Sequence, residues 1–280
     1  MLKDSAVKEY KNGEPPTYVI CSGWWCAGDN SDNRKEFLGD EIIRGREFHK
    51  IWYSAIEKFS SPKKIFIVDS NSPVKPPINP NDPRIEFVSL DQNPGHSTNH
   101  PGKFCGYTRS ILLGIEYALQ CEVDYFVYVE QDALIYGNSI IERCIESMNS
   151  PYMFGSGEGV PQKLQQSFFI IDLGHAVRFV SRLRSIPYAD GVISPEQKFS
   201  ISASYGPIKL ISFLEKHSKN SRFLSSVNRK LGKWLANYEW IPVGYGRRRP
   251  ISFEDKLFYF QHGTKKEIDK FLELINNDYV

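Results

Sequence analysis

Cysteine is scarce in this 280-residue sequence and poorly arranged for cross-linking. The five residues, Cys21, Cys26, Cys105, Cys121 and Cys144, are odd in number and lack paired C-x-x-C spacing. That pattern suggests neither a disulfide framework nor a zinc site and points to reduced thiols. No asparagine stands in an N-x-S/T sequon with a permitted middle residue, in keeping with an unglycosylated chain. No run approaches the ~20 apolar residues that span a bilayer, and the opening Met1-Leu2-Lys3-Asp4-Ser5 has no apolar signal-peptide core. A cytoplasmic location is the expectation. Charge of one sign is also missing: 35 basic against 33 acidic residues leave only +2, which implies no general nucleic-acid surface. Low-complexity tracts and internal repeats are absent.

What is present reads as a globular chain, 41% hydrophobic and 24% charged, long enough to bury a substantial core. Short β-rich runs alternate with helical patterns: Thr17 to Cys21, Lys64 to Asp69 and Ile85 to Val88 read as buried strands. Between the first two, Phe37, Leu38, Glu41 and Ile42, then Phe48, Ile51, Trp52, Ala55 and Phe59, keep helical spacing. From Phe104, apolar residues recur at three and four positions to Ala118, and the strand Asp124 to Val129 follows. Alternation of this kind predicts an α/β fold with a mainly parallel central sheet flanked by helices, whose ligands sit at the carboxyl ends of the strands.

The proline-rich stretch Asn71 to Pro83 and the segment Asp91 to Gly102 read as loops, the second as a lid over a ligand. The second half reads as less regular, with a strand at Ser167 to Ile171, helices from about Gly174 to Leu183 and Ile208 to Leu214, and a late strand Leu257 to Phe260. Thr264-Lys265-Lys266-Glu267 is a capping box that should open a last helix just after His262-Gly263. Residues 1–140 are expected to form a donor-binding half and 141–280 an acceptor-binding half, within one continuous domain.

The chemistry concentrates where the strand Tyr125 to Val129 delivers Glu130-Gln131-Asp132 into a turn, two carboxylates two residues apart. Hard oxygen ligands of this type favour Mg²⁺ or Mn²⁺, and a cation there can neutralise a departing diphosphate. The helix from Gly106-Tyr107-Thr108-Arg109, the hydrophobic strand and this triplet together resemble the nucleotide-sugar domain of GT-A-fold glycosyltransferases, family-2-like, whose acidic signature is D-x-D. The resemblance covers roughly Thr17 to Tyr136, and Glu and Gln occupy the first two triplet positions here.

The likeness implies that Asp132 holds the metal, with Glu130 and Gln131 beside the donor, that Asp69 contacts the nucleoside, and that Arg109 stands where many members carry an arginine. Ser22, at the end of the first strand, joins the expected donor-binding set. It further implies that Glu196, in Ser194-Pro195-Glu196-Gln197, is the base acting on the acceptor hydroxyl, and that His262 completes metal binding; the alternatives are an exposed helix-starting glutamate and a structural histidine.

Arg247-Arg248-Arg249 suits bidentate phosphate contacts to the donor diphosphate. Together with Arg222, Arg229, Lys230 and Lys233 it reads equally as a basic face toward a membrane or lipid carrier, or as a plain solvated surface. Trp24 and Trp25 offer rings for stacking or for the core, and Gly155-Ser156-Gly157-Glu158-Gly159 lacks the lysine of a phosphate-binding loop and reads as a turn near the acceptor pocket, beside Gln165, Gln166 and Ser167. The expected activity is metal-assisted, inverting transfer of a sugar from a nucleoside-diphosphate donor to a glycan or glycolipid. A sugar-phosphate nucleotidyltransferase and a non-catalytic glycan-binding module are the alternatives.

Overall fold

The computed structural model describes residues 15–28, 38–98, 100, 102–157, 163–218 and 221–277. Its strands are β1 (Tyr18–Trp24), β2 (Lys64–Asp69), β3 (Ile85–Ser89), β4 (Tyr125–Val129), β5 (Ala133–Tyr136), β6 (Tyr152–Ser156), β7 (Leu164–Asp172), β8 (Glu239–Trp240), β9 (Tyr245–Gly246) and β10 (Phe258–Gln261). Its helices are α1 (Phe48–Phe59), α2 (Gly106–Gln120), α3 (Ile140–Ser147), α4 (Ala176–Ser185), α5 (Pro195–Ser202), α6 (Ile208–Ser218), α7 (Arg222–Leu235) and α8 (Lys265–Asn277).

A seven-stranded sheet runs in the order β3-β2-β1-β4-β7-β6-β8. Four of its six neighbouring pairs are parallel, and the reversals fall on either side of β7, so the sheet is mainly parallel as expected. Strands buried on both faces need near-continuous apolar runs, and β1 and β4 supply them. Tyr18, Ile20, Val127 and Val129 point into one core with α1, while Val19, Cys21, Phe126 and Tyr128 point into a second with α2. Helix α2 lies so close to the sheet that a Cβ on Gly114 would sit 2.5 Å from Cys21 Sγ and 2.8 Å from the Phe126 ring.

A smaller sheet, β5-β10-β9, branches off immediately after β4. Residue β10 Gln261 pairs antiparallel with Ala133, and Phe260 pairs in parallel with Gly246. Three segments far apart in sequence therefore end side by side.

Several local expectations change. The helical pattern after β1 breaks into a 3-10 turn at Glu41–Arg44 followed by α1, because Asp40 is tied elsewhere: its N–H donates to Gly263 O, and its carboxylate accepts from Lys265 N at 2.6 Å. Phe37, and Glu158-Gly159 of the glycine turn, lie outside the described residues. The second half is more regular than its sequence pattern suggests. Helix α5 begins with a Ser194/Gln197 capping box and Pro195 in its first turn, and α7 begins at Ser221, whose hydroxyl accepts from Leu224 N. Helix α4 starts at Ala176 after a 3-10 turn, and the late strand runs one residue further, to Gln261. Helix α8 begins where Thr264 and Glu267 cap it.

One buried ion pair joins the two halves of the chain. Lys198 Nζ and Asp190 Oδ1 are 2.6 Å apart with both side chains fully buried. The other oxygen of Asp190 accepts from Cys105 N and Thr108 Oγ1, so a residue far along the chain caps the start of α2. Lys198 also donates to Lys103 O. Burial lowers the Lys198 pKa although the Asp190 carboxylate favours the charged form. Removing one partner strands a buried charge, so Lys198→Ala should destabilise the fold by about 3–5 kcal/mol. The paired change Lys198→Met with Asp190→Asn should cost clearly less, and equilibrium urea unfolding of both variants measures the difference.

Candidate active site

The turn after β4 is built by backbone bonds from Glu130 N to Ser167 O (2.8 Å) and from Ala133 N to Glu130 O (2.9 Å). The middle residue of the triplet is a clamp: Gln131 Oε1 accepts from Trp25 N at 2.6 Å, and its Nε2 donates to Trp25 O at 2.9 Å. A side-chain amide matches both polar groups of one peptide residue, so Gln131 ties the end of β1 to the carboxylate turn.

The small sheet brings Gln261 against the two carboxylates. Its Nε2 donates to Glu130 Oε2 at 2.7 Å and Asp132 Oδ1 at 3.2 Å, and its Oε1 accepts from Arg247 Nε at 3.3 Å. A buried amide thus relays guanidinium polarity to a pair of acids that would otherwise repel each other. Next to it, His262 Nε2 lies 3.4 Å from Asp132 Oδ2. Burial lowers the His262 pKa to about 4; Asp132 opposes this, while Arg247, Arg44 and Arg249 reinforce it. The ring is neutral at neutral pH, the form a metal ligand requires. His262 has a φ of 58°, and its backbone leaves no room for a Cβ on Gly39, which would fall 2.7 Å away.

A divalent cation fits this donor set as a partial site. Asp132 Oδ2 and His262 Nε2 are close enough to serve one ion, and no group of three or more His, Cys, Asp or Glu is gathered for a metal among the described residues. That composition suits an ion held by one or two protein ligands and completed by substrate phosphates.

The remaining expected residues are distributed more widely. Asp69 is fully buried: Oδ1 accepts from Ser72 N (3.0 Å) and Ser72 Oγ (2.5 Å), while Oδ2 accepts from Ser89 Oγ (2.6 Å) and pairs with Lys75. Burial works against its ionisation, but Lys75, Ser72 and Ser89 outweigh it and hold the carboxyl below its ordinary range. Its side chain therefore organises the loop after β2. Arg109 is half-buried and donates from Nε to Phe104 O at 3.1 Å. Ser22 is buried at the end of β1, and its hydroxyl has no hydrogen-bond partner. Trp24 is a core residue whose Nε1 donates to Val74 O.

The arginine run separates by role. Arg247 faces Gln261, the Arg248 side chain is exposed, and Arg249 pairs with Glu267 at 2.6 Å and donates to Gln261 O. Arg229 and Lys233 instead line a groove of about 940 Å³ that also holds Glu196. Three carboxylates border that groove. Glu215 accepts from Gln197 and Asn228, and Glu239 accepts from Asn149 N and Ser150 N, whereas Glu196 has no hydrogen-bond partner among the described residues.

Tyr107 links the groove to the carboxylate turn. Burial raises its pKa well above the phenol range, and the charges of Glu130 and Glu196 both contribute. Its hydroxyl donates to Gln166 O, and the neighbouring Gln166 Oε1 and Ser167 Oγ are buried without partners. Gln261, which bonds both carboxylates, and Tyr107, which bonds Gln166 O, were given no role by the sequence pattern. Only the position of Gln261 beside His262 hinted at it.

No family model matches the sequence, and no curated protein matches it. Among solved structures, the chain is similar to S. aureus TarS 1-349 in complex with UDP-GlcNAc, with 14% identity, TM-score 0.40, and coverage of 67% of this chain and 53% of that one. It is also similar to the mannosyltransferase PcManGT from Pyrobaculum calidifontis in complex with GDP-Man and Mn²⁺, with 10% identity, TM-score 0.44, and 82% and 74% coverage. HddC from Yersinia pseudotuberculosis is a third, with 8% identity, TM-score 0.40, and 94% and 99% coverage. The chain spans about half the length of the TarS fragment. Similarities this low bear on no residue of the site, so its chemistry has to be read from the side chains themselves.

Because Gln131 makes both of its bonds to a single peptide residue, Gln131→Ala should lower stability by about 1–3 kcal/mol through two unmet backbone groups. Thermal unfolding and hydrogen exchange at Trp25 would measure that loss.

Proposed function

We propose that this chain is a GT-A-like glycosyltransferase that moves a sugar from a nucleoside-diphosphate donor to a glycan or glycolipid acceptor. The observation that carries the reading is the convergence of Glu130, Asp132, Gln261, His262 and Arg247 at the carboxyl end of β4. A nucleoside diphosphate leaves with growing negative charge, and catalysis of its departure requires fixed positive charge at that point.

Asp132 and His262 hold Mn²⁺ or Mg²⁺ in this scheme. The ion supplies Lewis-acid neutralisation of the diphosphate. Arg247 and Arg248 add guanidinium contacts to the same phosphates, while Glu130 and Gln131 shape the donor side. Ser22, at the end of β1, lies on the donor side in this reading, with its hydroxyl buried and unpartnered. Asp69 acts through the loop it organises, and Arg109 steadies the start of α2 beneath the donor. The unpartnered Gln166 and Ser167 oxygens suit sugar hydroxyls.

Glu196 takes the proton from the acceptor hydroxyl. The acceptor oxygen then bonds to the anomeric carbon as the bond from that carbon to the diphosphate breaks, and one displacement of this kind inverts the configuration. The basic residues of the C-terminal region support a peripheral membrane contact, which would suit a glycolipid acceptor. No described helix is long and apolar enough to cross a membrane.

Two outcomes test the assignments. Asp132→Asn should abolish Mn²⁺-dependent binding of UDP or GDP in calorimetry and reduce transfer about 100-fold or more while the fold survives; unchanged cation-dependent binding rejects the metal role. Glu196→Gln should retain nucleotide binding yet lose about 10²–10⁴-fold in transfer rate, and a variant with full turnover would remove Glu196 from the mechanism.

A further inference from the structure

Helix α7 is unusual in this fold because none of its residues is fully buried. Its sequence, RFLSSVNRKLGKWL, carries Arg222, Arg229, Lys230 and Lys233 and no carboxylate, in a chain whose net charge is only +2. None of the four cations has an ion-pair partner among the described residues, although Arg229 and Lys233 share their groove with Glu196, Glu215 and Glu239. Leu224, Leu231 and Leu235 are half-buried on the flank toward α6 and the core. A second flank, with Arg229 and Lys233, borders the Glu196 groove.

The third flank is mainly apolar and open, although Val227 on it is half-buried. Phe223, Val227, Lys230 and Trp234 are spaced four, three and four residues apart, which aligns them along one side of the helix. Phe223 is 74% exposed and Trp234 80%, so two aromatic rings stand open on one side of the helix. Lys230 stands within this stripe, and Arg222 and Lys233 flank it by helical position. An indole and a phenyl ring beside cations match a lipid interface, where the rings enter the acyl boundary and the cations meet anionic headgroups.

We propose that α7 is an interfacial anchor, lying in the headgroup plane of an anionic bilayer with Phe223, Val227 and Trp234 inserted and Arg222, Lys230 and Lys233 over lipid phosphates. This rests on the membrane contact proposed above and narrows it to α7, since Arg247 and Arg249 of the arginine run are engaged within the protein. The anchor sets the groove that contains Glu196 beside the bilayer surface, where the head of a lipid-linked acceptor would meet it.

The test uses the full chain and two sets of vesicles, one of phosphatidylcholine alone and one containing phosphatidylglycerol, with no donor present. Cosedimentation with the anionic vesicles and a blue shift of tryptophan emission are expected at low salt, weakening as salt is raised. Phe223→Ser with Trp234→Ser, and separately Arg222→Glu with Lys230→Glu, should each weaken partitioning about tenfold or more. These side chains lie on the outer flank of α7, and unchanged melting of both variants confirms the fold. Failure of the unmodified chain to bind anionic vesicles overturns membrane contact altogether. Binding that survives in both variants keeps membrane contact but overturns the role of α7. Self-association dispersed by the aromatic variant, without vesicle binding, assigns the stripe to a second copy of this chain and likewise overturns the proposal.

Discussion

The antiparallel pairing of β10 with β5 is the constraint on which the site depends. β5 begins one residue after Asp132, and its register places Gln261 opposite Ala133. Pairing of β9 with the same strand then delivers Arg247. A slip of one residue in β10 would turn Gln261 to the opposite face and replace its amide with His262 or Phe260, since strand side chains alternate. Two acids, an amide, an imidazole and a guanidinium are thus held in one place by main-chain hydrogen bonds, without a dedicated loop.

Electrostatics inside that cluster are balanced by polarity more than by full ion pairing. Glu130 and Asp132 share the two hydrogens of one amide, and that amide leans on a guanidinium. The free edge of Asp132 faces a neutral imidazole, His262 Nε2 lying 3.4 Å from Asp132 Oδ2. Asp69 shows the contrasting design, a carboxylate whose two oxygens are consumed by serines and a lysine and whose work is to hold a loop. The same residue type at two strand ends therefore has opposite consequences, decided by what donates to it.

Support for the groove comes from behind the sheet. Asp190 and Lys198 join the start of α2, the end of the 91–105 loop and α5, the helix that carries Glu196. That joint fixes the helix carrying Glu196 relative to the start of α2. Beyond α5 the structure loosens into the α6 and α7 pair, whose outer surface is aromatic and cationic instead of packed.

The sequence by itself determined the elements whose physics is local. Continuous apolar runs specified β1, β2 and β4, periodicity specified α1 and α2, and the Thr264/Glu267 box specified the start of α8, because burial pattern and capping depend on near neighbours. The carboxylate turn was legible for the same reason, as acids at the end of an apolar strand. Tertiary structure alone decided which partners those acids receive. Gln261 reaches Glu130 across 131 residues with Arg247 behind its amide, and Trp25 meets Gln131 across 106; nothing in a local pattern encodes such a register. It also decided that Glu196, and not Glu215 or Glu239, keeps its carboxylate unbonded in the groove, since that depends on which donors the folded helices bring within reach.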